Sequence, residues 1–341
     1  MSFLFFLWVL VWSHLTSTPS AAAPPYKMAR KANVPGNLFV DESCIDCDVC
    51  RWMCPSIYSR KGVKSIVHKQ PEGDDEKMRA YAAMISCPVG SIRLNSPDPL
   101  VKKAAYLLPA PLDPVKLPGV FHLGYHAAES FGAASFLIQR QVAGGKYENI
   151  MIDTPRFNER LAEAVEKEGG VGYLVLTHKD DVHDHERWAK RFPEAKRVMH
   201  LADISRYTEE VEIQLRGKSS WQLAEDVTIL HTPGHTAGSI CALVKVRGGE
   251  NALFSGDHLA YSASRQGLDG FKRYNKGNAK VQGDSIRLLA GQDVQFQWLI
   301  PGHGRMLRFA TDEERVEAIL RAAEVFDGED DAIGKFGVGY F

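Results

Sequence analysis

Two groups of residues could do chemistry in this 341-residue chain: five of its six cysteines fall between positions 44 and 87, and seven of its twelve histidines sit in four short segments after position 177. Cys44, Cys47, Cys50 and Cys54-Pro55 form CxxCxxCxxxCP, and Cys87-Pro88 follows further on. Three thiolates separated by two residues each can wrap one corner of an iron–sulfur cubane while a distant Cys-Pro closes the fourth iron. A zinc knuckle competes, although zinc usually takes two CxxC pairs. A disulfide framework competes as well, although five cysteines is an odd number for disulfides. Asp41, Glu42, Asp46 and Asp48 surround the run; they either lower a cluster's potential by their charge or are solvated loop acids.

The stretch 33–98 resembles bacterial-type ferredoxins, with Phe39-Val40-Asp41 leading into the run and Ser91-Ile92-Arg93 after the last cysteine. No second CxxCxxC triplet exists, so one [4Fe-4S] cluster is the economical count. The resemblance implies Cys44, Cys47, Cys50 and Cys87 as ligands and leaves Cys54 as a packed thiol.

The histidines stand where apolar runs end. Leu174-Val175-Leu176-Thr177 runs into His178, Val227-Thr228-Ile229-Leu230 into His231-Thr-Pro-Gly-His235, Leu253-Phe254-Ser255-Gly256 into Asp257, and Ile300-Pro-Gly into His303. Ligand-type side chains at several strand ends converge on one edge of the sheets. In that order the four segments resemble the metallo-β-lactamase superfamily over residues 118–326. The resemblance implies an α/β fold, a four-layered αββα sandwich, with one or two divalent metals, zinc or iron, at the sheet edge. His235 in Thr-Pro-Gly-His would be a ligand, Asp257 the bridging and catalytic carboxylate, and His303 the last ligand. His231 and His258 sit beside motif positions and read as packed histidines.

The first segment departs from that family's HxHxDH. Here His178-Lys-Asp180-Asp181-Val182-His183-Asp184-His185 is two residues longer, and at least one imidazole has become a carboxylate. A two-residue insertion makes His178, Asp180, Asp184 and His185 metal ligands, with Asp181 and His183 behind them.

The elements that must position these residues follow from periodicity. Strands are expected at 135–139, 150–153, 173–177, 227–231, 240–246, 252–255 and 298–300, and helices at 157–167, 186–192, 284–290 and 312–324. Six prolines between 97 and 118 place a domain boundary there, because such a stretch holds neither a long helix nor a central strand. The organisation expected is a targeting presequence (1–32), a ferredoxin-like α+β domain (33–98), a Pro-rich linker (99–118), the sandwich (119–326) and a tail (327–341).

Residues 3–12 are uninterrupted apolar, about half of the ~20 a membrane helix needs. They lead into small residues, Ala21-Ala22-Ala23, and an acid-free basic stretch with Lys27, Arg30 and Lys31. This reads as a signal segment plus a transit segment, hence a plastid, with mitochondrion or secretion as alternatives, and with no membrane span in the processed protein. Thiolate ligands argue against an oxidising destination. A composition with 45% hydrophobic residues excludes a disordered chain, and a net charge of -1 gives no general basic excess that would bind a polyanion unaided, so no nucleic-acid partner is expected, local basic patches aside.

A metal held by imidazoles and carboxylates makes hydroxide available at neutral pH and polarises a carbonyl, and the resemblance implies a hydrolase of glyoxalase II or lactonase type that acts on a small-molecule thioester, ester or lactone. A carboxylate in place of the second histidine also occurs in flavodiiron proteins, and the harder oxygen suits iron, with the cluster or an electron-transfer partner supplying electrons. A third expectation is a cluster-carrying binding module with a weakened metal site.

Overall fold

The computed structural model describes residues 28–275 and 277–327; most of the expected presequence and nearly all of the tail lie outside them. The chain begins with a small domain. Strand β1 (Leu38–Val40) leads into the cysteine run, which contains helix α1 (Val49–Met53), and the hairpin β2 (Tyr58–Lys61) and β3 (Lys64–Val67) follows. Helix α2 (Gly73–Ser86) carries Asp74, Asp75 and Glu76 in its first turn, where acids complement the helix dipole. It stops before Cys87-Pro88, since proline cannot continue a helix. Strand β4 (Ile92–Leu94) then pairs antiparallel with β1, Phe39 opposite Arg93 and Val40 opposite Ile92. The residues flanking the first and last cysteines are thereby zipped together, which closes the run into a ring.

The Pro-rich bridge is structured. Helix α3 (Leu100–Ala104) follows Pro99, and β5 (Ala110–Pro111) joins the edge of a sheet, the position where a strand tolerates proline. Leu100 and Ala104 pack in the core of the small domain, whereas Leu108 packs in that of the second. The hand-over between cores therefore falls between 104 and 108, inside the bridge.

The second domain contains two sheets. One has seven strands, β5, β6 (Val120–His122), β7 (Phe136–Ile138), β8 (Ile150–Ile152), β9 (Tyr173–Val175), β10 (Lys196–His200) and β11 (Ile213–Leu215), adjacent in that order. It is antiparallel through β8 and parallel from β8 to β11. The other has six, in the order β12 (Ser220–Ala224), β13 (Val227–His231), β14 (Ile240–Val244), β15 (Ala252–Gly256), β18 (Trp298–Pro301) and β19 (Leu307–Arg308). Between β15 and β18 come the hairpin β16 (Ala260–Ser262) and β17 (Gly267–Asp269) and helix α6 (Ala279–Leu288).

Period-two alternation explains the layers. Ile240, Ala242 and Val244 of β14 face the core between the sheets with Ile150 and Ile152 of β8. The intervening Cys241 and Leu243 face Ile286 of α6 and Ile319 of α7 (Asp312–Glu324). Met151 and Leu174 face Leu161 of α4 (Glu159–Lys167) and Trp188 of α5 (His185–Arg191). Helices thus cover both outer faces, an αββα sandwich, and central strands are apolar on both sides for that reason. Helix α6 starts five residues earlier than its apolar pattern predicts. Asn278 caps it by accepting from Val281 N, and Gly283 lies inside it because a Cβ there would come within 2.6 Å of Phe326 Cβ.

Candidate metal centre and cysteine cavity

His178, Asp180, Asp181, His235 and Asp257 meet where β9, β13 and β15 end. His178 Nε2 lies 3.9 Å from Asp181 Oδ2 and 3.7 Å from Asp257 Oδ2, and His235 Nε2 lies 3.8 Å from Asp180 Oδ2 and 3.7 Å from Asp257 Oδ2. Ligand atoms at ~2.1 Å around a tetrahedral ion stand ~3.4 Å apart, so these spacings suit a shared cation better than direct hydrogen bonds. Both Nε2 atoms are buried and without a hydrogen-bond partner. An orphaned lone pair beside carboxylates is costly unless a cation takes it.

Three residues that no motif singled out aim these ligands. Asp153, at the end of β8, accepts from Thr177 N (2.8 Å) and from Thr177 Oγ1 (2.9 Å). The hydroxyl proton is thus committed to Asp153, so Thr177 Oγ1 accepts from His178 Nδ1 (3.0 Å), which leaves the Nε2 lone pair facing the site. Asp203 staples two segments together: it accepts from Lys179 N (3.1 Å), from Gly238 N (2.8 Å) and from the Thr236 hydroxyl. Gly256 takes φ +50, and a Cβ there would lie 2.5 Å from Thr177 Oγ1, so only glycine lets β15 deliver Asp257 so close to β9.

Charge settles the proton positions. Burial lowers His178 to about 4, and lowers His258 to about 3, so both rings are neutral. His303 Nδ1 donates to Asp257 Oδ1 at 2.7 Å. Burial opposes its charge, but Asp257 and the backbone of Phe131 and Ser130 outweigh that and raise its pKa. Asp257 is held well below the carboxylate range: burial works against this, and His303, His178 and His235 overcome it. Burial raises Asp153 to about 7 against the two Thr177 bonds.

The expected ligands therefore divide. The structure gathers His178, Asp180, His235 and Asp257, adds Asp181, and sets His303 on the far oxygen of Asp257. Asp184 and His185 are not brought into this group. Asp184 takes a left-handed φ of 59 at the start of α5, and its Oδ2 accepts from Phe157 N (2.7 Å). His185 Nε2 bonds Tyr207 O (3.0 Å), and its Nδ1 faces Arg197 (3.3 Å). The helix start turns both side chains away, and the segment reaches the site through His178, Asp180 and Asp181. His183 faces Glu129 and Asp184. His231 stacks on His200 at 4.1 Å.

In the small domain, Cys44, Cys47, Cys50 and Cys87 line one enclosed cavity with Val40, Ser65 and Ile92; Cys54 is not among its lining residues and lies 3.7 Å from Ser56 Oγ. Burial raises the Cys47 thiol well above its ordinary value and pushes Cys50 up to about 12, so these two bare thiols stay protonated, and holding them as thiolates needs bound cations. Ser91 N and Ser65 Oγ lie 3.4 Å from Cys87 Sγ and Cys50 Sγ respectively.

Three of the four surrounding acids are neither solvated nor a bare negative field. Asp46 and Asp48 are buried and paired with Arg51, Arg60 and Arg305. Asp41 is buried and paired with Arg93. Only Glu42 is exposed.

Residues 40–94 match the family described as the 4Fe-4S single cluster domain of Ferredoxin I. No curated protein matches the chain. Among solved structures the chain is similar to the DIM-1 metallo-β-lactamase, at 16% identity over 60% of this chain and 94% of that one, with a TM-score of 0.44. It is similar to the FIM-1 metallo-β-lactamase from Pseudomonas aeruginosa in its mono-zinc form, at 16% over 57% and 92%, TM-score 0.40. It is also similar to ST1585 from Sulfolobus tokodaii, an archaeal metallo-β-lactamase superfamily protein, at 15% over 61% and 98%, TM-score 0.40. Likeness at this level says nothing about activity. No helix among the described residues is long and apolar enough to cross a membrane.

Proposed function

Starting from a ferredoxin-type domain joined to an αββα sandwich, we propose that the chain is a metal-dependent hydrolase of small thioesters, esters or lactones that also carries one [4Fe-4S] cluster. The observation that carries this is the convergence of two orphaned imidazole nitrogens with three carboxylates at one sheet edge. His178, Asp180, Asp181, His235 and Asp257 would hold one or two divalent cations, and Cys44, Cys47, Cys50 and Cys87 the cluster. A divalent cation bound there supplies a Lewis acid that polarises a carbonyl and acidifies water.

The chain's own residues do the rest. Asp153, through Thr177, keeps the His178 ring in one tautomer and orientation. Asp203 keeps the His178 and His235 segments at a fixed separation. Asp257 turns Oδ2 toward the two imidazoles and Oδ1 toward His303, and His303 holds a proton on Nδ1 against that oxygen.

Elemental analysis after anaerobic purification, followed by turnover of a thioester, an ester and a lactone, tests the proposal. Metal at the site with no turnover of any of the three would refute the hydrolase. A second reading, redox chemistry at iron, is favoured by the oxygen-rich ligand set, three carboxylates to two imidazoles. Iron in place of zinc, and electron uptake through the cluster from an electron-transfer partner, would select it.

Residues 1–32 support delivery to a plastid. A fluorescent fusion of those residues checks this, and its appearance only in the medium or in mitochondria would redirect the address.

A further inference from the structure

Between the two domains runs a segment, 127–134, that the proposed chemistry leaves unused. Gly132 has φ +89, and a Cβ there would lie 3.1 Å from Cys47 Cβ and 3.4 Å from its Sγ. The main chain of this segment thus rests directly on one cysteine of the cavity. On the segment's other side stands the turn that carries His303, whose ring donates to Asp257. Ala134 N donates to Gly302 O at 2.7 Å, fixing the segment to the turn that carries His303.

Two further contacts brace this junction. Arg305, on the same turn as His303, donates from Nε (2.7 Å) and Nη2 (3.1 Å) to the two oxygens of Asp48, the neighbour of Cys47. Trp52 of α1 packs edge-on against His122 at 4.8 Å; His122 Nε2 meets His126 Nε2 at 2.8 Å, and His126 Nδ1 bonds Gly132 O at 2.7 Å. One turn therefore touches the cysteine ring through Arg305 and the metal ligands through His303.

We propose that segment 127–134 and the Arg305–Asp48 pair couple the two centres, so that cation binding by the His/Asp group and the redox state of the cluster are thermodynamically linked. This rests on the reading of both sites given above. Reduction adds one electron to the cluster from an external one-electron donor, and no covalent bond forms or breaks. The added negative charge attracts the cation, so the reduced form binds it more tightly; by reciprocity the bound cation raises the cluster potential. A coupling of about fivefold in affinity corresponds to a shift of about 40 mV for a one-electron couple.

The test uses the full chain with its cluster reconstituted anaerobically and dithionite as the donor. Potentiometric titration followed by EPR is run with and without saturating Zn2+, which is redox-inert and so cannot take the electron. Zinc should raise the potential by about 40 mV or more. Arg305→Gln should keep the cluster spectrum and the zinc content but lose at least half of the shift, and Arg305→Lys should recover it. An unchanged wild-type potential with zinc shown bound by elemental analysis overturns the coupling and leaves the hydrolase standing. Absence of zinc binding overturns both. A full shift in both Arg305→Gln and Gly132→Ala overturns the assigned route.

Discussion

Thr177→Val separates a positioned metal ligand from a merely buried histidine. Valine matches threonine in shape, so the packing beside Gly256 is kept and only the hydroxyl is lost. Two bonds go with it, Oγ1 to Asp153 Oδ2 at 2.9 Å and His178 Nδ1 to Oγ1 at 3.0 Å. Both partners are buried, and an unmade bond at such a group costs roughly 1–3 kcal/mol, so the folded state should lose about 2–6 kcal/mol. Asp153 still accepts from Thr177 N, which keeps the loss within that range. The larger effect is on metal: removing an outer partner of a ligating histidine weakens binding about 10–100-fold. Competition against a chromophoric chelator measures the zinc affinity, and urea unfolding of the metal-free protein measures the stability. Thr177→Ser, which keeps the hydroxyl, should restore most of the affinity. If Thr177→Val binds zinc as tightly as the unaltered protein while losing stability, His178 is not held for a metal by this relay, and the reasoning fails.

Serine in place of Cys44, Cys47, Cys50 or Cys87 should abolish the broad iron–sulfur absorption after reconstitution, whereas Cys54→Ser should keep it; equal loss at all five would refute the ligand set. His235→Ala and Asp257→Ala should strip metal and activity together, while Asp184→Ala and His185→Ala should keep metal and lower stability, because their bonds go to Phe157 N and Tyr207 O. Elemental analysis beside thermal unfolding distinguishes the pairs. Burial lowers His126 to about 4, so its share of the stability is fully present above pH 6.5 and is lost as pH falls toward 4, a change of about 3 kcal/mol. Urea unfolding across that window should flatten in His126→Gln, and an unchanged slope would show that His126 does not titrate on unfolding.

Much of the candidate site was legible because its residues stand at the ends of apolar runs. His178, His235 and Asp257 each follow a strand whose alternation is plain, so their convergence could be read without coordinates. The first segment misled because spacing alone cannot reveal a helix start. The left-handed turn at Asp184 opens α5 and carries Asp184 and His185 away with it, whereas Asp181 stands with His178 and Asp257. Asp153, Thr177 and Asp203 were invisible for another reason. Each is a single common residue tied to a partner more than twenty positions away, and no local pattern marks such a hydrogen bond. In the small domain, Asp46 and Asp48 looked like loop acids because their arginine partners at 51, 60 and 305 are scattered.

The bond between Asp48 and Arg305 spans 257 positions, and it gives biosynthesis a direction. The cysteine ring is made early and Arg305 near the end, so a nascent chain must carry Asp48 with Arg51 as its remaining cationic partner until the sandwich closes. Contacts of such separation form late, after the loop between them has been drawn in. Gly132 reaches Cys47 well before that, so a chain that stalls before β18 has the sandwich against one cysteine of the ring while Asp48 still lacks the second of its two arginines.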